Sequence, residues 1–212
     1  MTIKLFYIHD PMCSWCYAFR HSLGQLLDQL PDNIEMHSLL GGLAADSKEP
    51  MPEAMQQQLQ STWKRIEQKV PDVHFNFDFW NRCQPVRSTY PACRAVIAAR
   101  ILNNDKAKDI GCLMTRAIQE GYYQQARNPS EENTLADFAQ QLGLDRNKFI
   151  SLLHSAQVNK KLIEEISLSR QLGARSFPSL ILQIDKSYWP VSIDYIDPSS
   201  MLQTIAMLCE NF

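Results

Sequence analysis

The stretch Ile3-Lys4-Leu5-Phe6-Tyr7-Ile8-His9-Asp10-Pro11-Met12-Cys13-Ser14-Trp15-Cys16-Tyr17 decides how this 212-residue chain folds. Leu5 to Ile8 is apolar at every position, the mark of a strand covered on both faces. Asp10-Pro11 ends that strand, because proline has no amide to donate and pushes the residue before it away from helix. A helix then opens at Cys13-Ser14-Trp15-Cys16, which sets two thiols about one turn apart. The first turn of a helix carries unpaired N–H groups and the positive end of the macrodipole, so a thiolate there is favoured over a thiol. Disulfides are attacked by thiolates. A second cysteine one turn on can close an intramolecular disulfide and expel whatever the first has bound. The chemistry to which the stretch points is disulfide exchange.

Two blander readings compete with it, a zinc half-site and a pair of packed thiols. A structural zinc site needs a second C-x-x-C or a closely spaced His pair. Here Cys83, Cys93, Cys112 and Cys209 stand singly, and no two histidines lie three to five residues apart. No metal is therefore expected. The four single cysteines read as small apolar core residues. A disulfide between Cys83 and Cys93, across Pro85 and Pro91, is the alternative.

Composition narrows the class. Apolar residues make up 45% of the chain, enough for a core that needs no disulfide staples. With a net charge of −2 and no basic stripe, nucleic acid is not an expected partner. The apolar runs are short and interrupted, so no membrane span is expected. Met1-Thr2-Ile3 runs straight into the first strand without a basic region, an apolar stretch or a cleavage site. A cytoplasmic protein is expected on that ground, in a compartment where structural disulfides are rare.

Beyond the C-x-x-C, Phe19, Leu23, Leu26, Leu27 and Leu30 follow helical spacing up to Pro31. Residues 34–39 read as a second strand, closed by Gly41-Gly42, and the strand–helix–strand order predicts a parallel pair. From 46 to 157 the pattern is helical. Helices are expected over 53–69 behind Pro52, from an N-cap at Ser88 to Leu102, and near 106–121, 134–142 and 146–154. Between them Phe75, Phe77 and Phe79 alternate with polar residues, which predicts that 73–80 is extended or a short strand-like arm. A helix over 158–172 ends on Gly173. Strands at 179–184 and 187–193 follow, the second placed at a sheet edge by Pro190, and a last helix opens at Pro198-Ser199-Ser200. The expected architecture is α/β, with a discontinuous domain (1–45 and 158–212) enclosing an all-helical insertion (46–157).

With Asp10-Pro11-Met12-Cys13-Ser14-Trp15-Cys16-Tyr17 at the front and Ser176-Phe177-Pro178-Ser179 at the back, the whole chain resembles the DsbA family of thiol–disulfide oxidoreductases. It is most similar to their leaderless, cytosolic branch of protein-disulfide isomerases related to FrnE. The resemblance implies a thioredoxin-like fold with a large all-helical insertion domain. It also implies Cys13 as nucleophile, Cys16 as resolving thiol and Pro178 as a cis-proline facing them. Ser14-Trp15 stands where the best-known periplasmic oxidant has Pro-His, and neither residue is charged. Reduction, isomerisation or glutathione-linked exchange is therefore expected, rather than net oxidation. The expected partners are a disulfide-containing protein or peptide, or glutathione as co-substrate, with glutathione or a thioredoxin-type protein as reductant; no tightly bound cofactor is implied. The kappa-class glutathione transferases and 2-hydroxychromene-2-carboxylate isomerases share the insertion and proline loop but work with serine at the first cysteine, which makes them the alternative. A chaperone-like peptide-binding module is the reading from outside enzymology.

Several other residues invite a role. Trp15 and Phe177, with Tyr17 and Trp80, are candidates for an apolar rim around an unfolded peptide. The backbone at Phe177 is a candidate for pairing with an extended substrate strand. His9 reads as a strand-end hydrogen-bonder or a base. Arg175 is a candidate anchor for a glutathione carboxylate, which guanidinium can bind with two parallel bonds.

Overall fold

The computed structural model describes residues 2–103, 105 and 109–210. Its first strand, β1 (Ile3–His9), leads through the Asp10–Cys13 turn into α1 (Ser14–Asp28) and back to β2 (Ile34–Leu40). The chain returns to the sheet with β3 (Ser179–Ile184) and β4 (Ser187–Val191) and ends in α9 (Ser199–Glu210). The strand order is β2-β1-β3-β4. β1 pairs parallel with β2, Leu5 opposite Met36, and antiparallel with β3, Leu5 opposite Leu182. β4 lies antiparallel at the edge, where Pro190 faces Ile181 and its missing amide costs no ladder bond to a further strand.

The apolar run of β1 is explained by its central place. On one face Leu5 and Tyr7 join Leu180, Leu182 and Val191 beneath Phe19 and Leu26 of α1 and Met201 and Ile205 of α9. On the other, Phe6, Ile8 and Ile181 pack with Leu172, Ala174 and the half-buried Phe177. Burying a Leu or Ile side chain in this way stabilises the fold by roughly 1.5–3 kcal/mol.

The remainder is helical: α2 (Glu53–Lys69), α3 (Phe79–Arg82), α4 (Tyr90–Leu102), α5 (Ile110–Tyr123), α6 (Glu132–Gln141), α7 (Arg146–Leu153) and α8 (Ala156–Gln171). The small buried side chains Ala92, Ala95, Ala98 and Ala99 let α5, α6 and α7 approach α4 closely. The first residues of the helix expected near 106–121 fall at 106–108, outside the described residues.

Two expectations need correction. The arm over 73–80 is not strand-like: Phe75, Phe77, Phe79 and Trp80 all gather round the buried Trp63, and Phe79 opens the short helix α3. Alternation there served aromatic packing. Ser88 does not cap α4, since the cap position is Thr89, whose hydroxyl accepts the Ala44 amide instead. The alternative of a Cys83–Cys93 disulfide is not realised: both thiols are free, Cys83 donating to the Ala126 carbonyl and Cys93 buried in α4.

The molecule divides into two compact units, residues up to 41 with those from 165 onward, and Gly42–Glu164. Both borders differ from those expected at 45/46 and 157/158. Ala44 is tied to Thr89 through both its amide and its carbonyl, which draws 42–45 into the helical unit. α8 runs unbroken through the second border, so the change of pattern near 158 marks the helix and not the division. Gly173 ends that helix with φ of 89°, a left-handed value suited to glycine.

Candidate active site

Asp10 builds the turn that presents the thiols. Its side chain is fully buried. Its carboxylate accepts the Met12 amide at 2.8 Å, and its carbonyl accepts the Cys13 amide at 3.0 Å. Asp and Asn favour such turns because the side chain bonds the backbone two residues on. The turn delivers Cys13 to the N-cap position of α1, with extended dihedrals of −83° and 116° and no capping bond from its side chain. Its thiol donates instead to the Phe177 carbonyl at 3.5 Å.

That carbonyl belongs to the loop between α8 and β3, 164 residues on in sequence. The Phe177–Pro178 bond is cis. Antiparallel pairing of Ile8 with Ser179 brings the loop alongside the end of β1. Cys13, Phe177 and Pro178 are thus brought together.

Cys13 is 6% exposed and Cys16 is 0% exposed. Both are free thiols. Burial pushes the Cys16 thiol well up from its ordinary range, and its hydrogen bond and charge interaction with Cys13 push it further. A backbone hydrogen bond from Asp10 acts the other way, while the Asp10 carboxylate again disfavours a second anion. Cys16 is therefore held as the neutral thiol.

Tyr195, which sequence reasoning missed, completes the wall. Its ring lies 5.0 Å from that of Trp15 and 5.9 Å from that of Phe19. Burial, and then the neighbouring sulfurs of Cys13 and Cys16, push its phenol well above the ordinary range, so it remains a neutral donor. No local pattern in Ile193-Asp194-Tyr195-Ile196 marks it; only the fold returns this segment to α1, where the Asp194 carbonyl accepts the Ser22 hydroxyl at 2.7 Å. Beside Tyr195 and Pro178 lies a cavity of about 250 Å³, walled by Ala174, Ile181, Pro190 and Val191.

The other candidates fall as follows. Trp15 is half-buried against Tyr195. Arg175 is exposed, two residues before Phe177 on the same loop. Tyr17 is no rim residue, being buried beneath the Arg20 guanidinium. Trp80 belongs to the helical unit, in the Trp63 cluster. His9 is buried, stacked on Tyr7 and paired through Nε2 with the Ser38 hydroxyl at 2.9 Å. Among the described residues, no helix is long and apolar enough to cross a membrane.

Comparison with known proteins agrees with this geometry. The family model described as Thioredoxin matches residues 6–192. A candidate protein disulfide isomerase from Nitrosomonas europaea superposes with a TM-score of 0.82 at 20% identity, covering 100% of this chain and 99% of that one. The cytosolic disulfide reductase DsbM from Pseudomonas aeruginosa gives a TM-score of 0.75 at 22% identity, over 99% and 100% of the two chains, and has also been solved with GSH. The ClpXP adapter protein SpxH of Bacillus subtilis is 23% identical over 179 residues, 84% of this chain and 57% of its own. The chain thus spans a little over half the length of the curated relatives it matches. Taken with the C-x-x-C at the mouth of α1, these matches show that the chain belongs to the thioredoxin family and has the DsbA-like form of its fold, a sheet domain carrying a large helical insertion.

Proposed function

We propose that this protein is a cytosolic thiol–disulfide oxidoreductase acting on protein or glutathione mixed disulfides, with Cys13 as nucleophile and Cys16 as resolving thiol. The observation that supports it most is the pairing of a nearly buried Cys13, facing the Phe177 carbonyl, with a wholly buried neutral Cys16 one turn behind it.

The reductive cycle is a two-electron exchange. The Cys13 thiolate attacks one sulfur of the substrate disulfide, forming a Cys13–substrate bond, and the other substrate sulfur leaves as a thiolate and takes a proton. Cys16 then gives up its proton and attacks the Cys13 sulfur. The mixed disulfide breaks, the second substrate thiol departs, and a Cys13–Cys16 disulfide remains. Two glutathione thiols, or one reduced thioredoxin-type protein, return the pair to the dithiol. Isomerisation uses the first attack alone, with a substrate thiol doing the resolving. The burial of Cys16 orders these events, since it is reachable only from the Cys13 sulfur.

Substrate recognition falls to the loop and the wall. An extended peptide would run beside the Phe177 backbone, its cysteine over Cys13, in a short strand-like pairing. The cavity beside Pro178 would take an apolar neighbouring side chain, and Trp15 would flank it. Arg175 would anchor a carboxylate of glutathione. The test is turnover of glutathionylated peptide, coupled to glutathione reductase. Wild type should turn over and Cys13→Ser should lose essentially all of the rate, because the attacking sulfur is gone. Undiminished turnover in Cys13→Ser would end the assignment.

The curated matches favour a second reading, because both are named as adapter proteins. In that case the chain would bind a protein partner without turning it over, and binding would survive Cys13→Ser and Cys16→Ser together.

A further inference from the structure

Gly41 lies at the end of β2, where its amide donates to the His9 carbonyl at 2.7 Å. The doublet Gly41-Gly42 reads in sequence as a turn, yet the two glycines answer different needs. Gly42 has φ of 63°, in the left-handed region. Gly41 does not, so its backbone would admit any residue. What Gly41 cannot admit is volume. A Cβ built on it would lie 2.0 Å from Cε1, 2.2 Å from Cζ and 2.9 Å from Cδ1 of Phe177. The edge of that ring therefore occupies the space where a side chain at 41 would stand.

Phe177 is the residue whose carbonyl faces the Cys13 thiol at 3.5 Å. Phe177, like Leu39, packs against the buried cluster of Phe6, Ile8, Leu172, Ala174 and Ile181, so one residue joins that cluster to the Cys13 thiol. We infer that Gly41 is a positioning residue for the dithiol: the absence of a side chain there lets the Phe177 ring dock against the β2 end, and the docked ring holds the 175–178 loop over Cys13. This rests on the exchange reading only for its consequence in catalysis. The docking itself concerns the exposure of Cys13 and is measurable without any substrate.

A methyl at 41 overlaps the ring by well over 1 Å, and the neighbouring backbone of β2 is fixed by its ladder with β1. The ring must swing out and carry the loop with it. Cys13, now 6% exposed, would then be uncovered. Two effects of opposite sign follow, a Cys13 more open to a small alkylating reagent and a poorer site for an extended peptide.

The experiment compares wild type, Gly41→Ala, Phe177→Ala and the double variant. Iodoacetamide labelling at pH 7 is followed by peptide mass spectrometry, with exposed Cys112 and buried Cys93 as internal references. Gly41→Ala should speed labelling of Cys13 about fivefold, equivalent to ~1 kcal/mol at 1.36 kcal/mol per tenfold, and leave both references unchanged. In the Phe177→Ala background there is no ring to displace, so adding Gly41→Ala should change the rate less than about 1.5-fold, the non-additivity expected of residues in contact. The KM for a glutathionylated peptide should rise in Gly41→Ala, with kcat less affected. An equal effect in both backgrounds, no change at Cys13, or a parallel rise at Cys93 would each overturn the inference. Should wild type fail to turn over the peptide, the exchange reading fails, while the labelling comparison still decides the role of Gly41.

Discussion

At the scale of single residues, two sulfurs differ because their surroundings differ. Cys13 has a neighbouring carbonyl and a sliver of surface, whereas Cys16 is wholly buried, which disfavours an anion there. This asymmetry predicts that Cys16→Ser accumulates a stable mixed disulfide at Cys13 with glutathione. Intact-mass analysis should show the adduct lost on adding dithiothreitol, and absence of the adduct would count against Cys13 as nucleophile. The part proposed for Arg175 is smaller. Being exposed, it should contribute as a surface ion pair does, so Arg175→Ala should raise the KM for a glutathionylated peptide roughly two- to fivefold, for ~0.5–1 kcal/mol. An unchanged KM would remove it from the site. The two thiols could be picked out of the sequence because the C-x-x-C motif marks them. Tyr195 could not, since nothing near it in sequence differs from an ordinary loop tyrosine until α1 packs against it.

At the scale of elements, β1 carries the site as well as the core. Its apolar run was readable because a central strand must hide both faces, and its end was readable from Asp10-Pro11. The aromatic stretch at 75–80 was misread for the reverse reason. Period-two alternation is the signature of a half-buried strand, but here the alternate rings converge on one tryptophan from a loop and a single helical turn. Local period alone does not tell those apart. Ile8 tests the element directly. It is completely buried and next to the residue that pairs with Ser38. Ile8→Ala should destabilise the fold by about 2–5 kcal/mol, read from the midpoint of denaturant unfolding. A loss below 1 kcal/mol would mean the strand is packed less tightly than described.

At the scale of the whole molecule, buried acids set the response to pH. Cys16, Tyr122 and Tyr195 are all pushed upward, chiefly by burial, from ordinary values of 9.0 for the thiol and 10.0 for the phenols. Each favours folding while neutral. Its contribution is complete below the unfolded value and is lost as pH rises toward the folded one. Thermal stability of the reduced protein should therefore fall between about pH 9 and 11. A protein oxidised at Cys13–Cys16 has no Cys16 proton to lose and should fall less over the same range; identical curves for the two forms would contradict a buried neutral thiol. On the acid side, Asp46 beside Arg94 and Asp137 between Arg146 and Arg127 are held below the usual carboxylate range, so their contributions vanish as pH drops through 3.8 and lower.

Everything proposed for the site requires that Cys13 and Cys16 act as a reversible two-electron couple. Equilibration in glutathione buffers of graded ratio, quenched by alkylation and read by peptide mass, measures it directly. Burial first, and then Cys13 and the Asp10 carboxylate, disfavour the Cys16 thiolate, which favours a reducing couple. A single two-electron transition joining Cys13 to Cys16 is expected, with a midpoint nearer the thioredoxin value of ~−270 mV than the ~−120 mV of a strong oxidant. Cysteines that titrate separately, with no Cys13–Cys16 disulfide at any ratio, would contradict the claim.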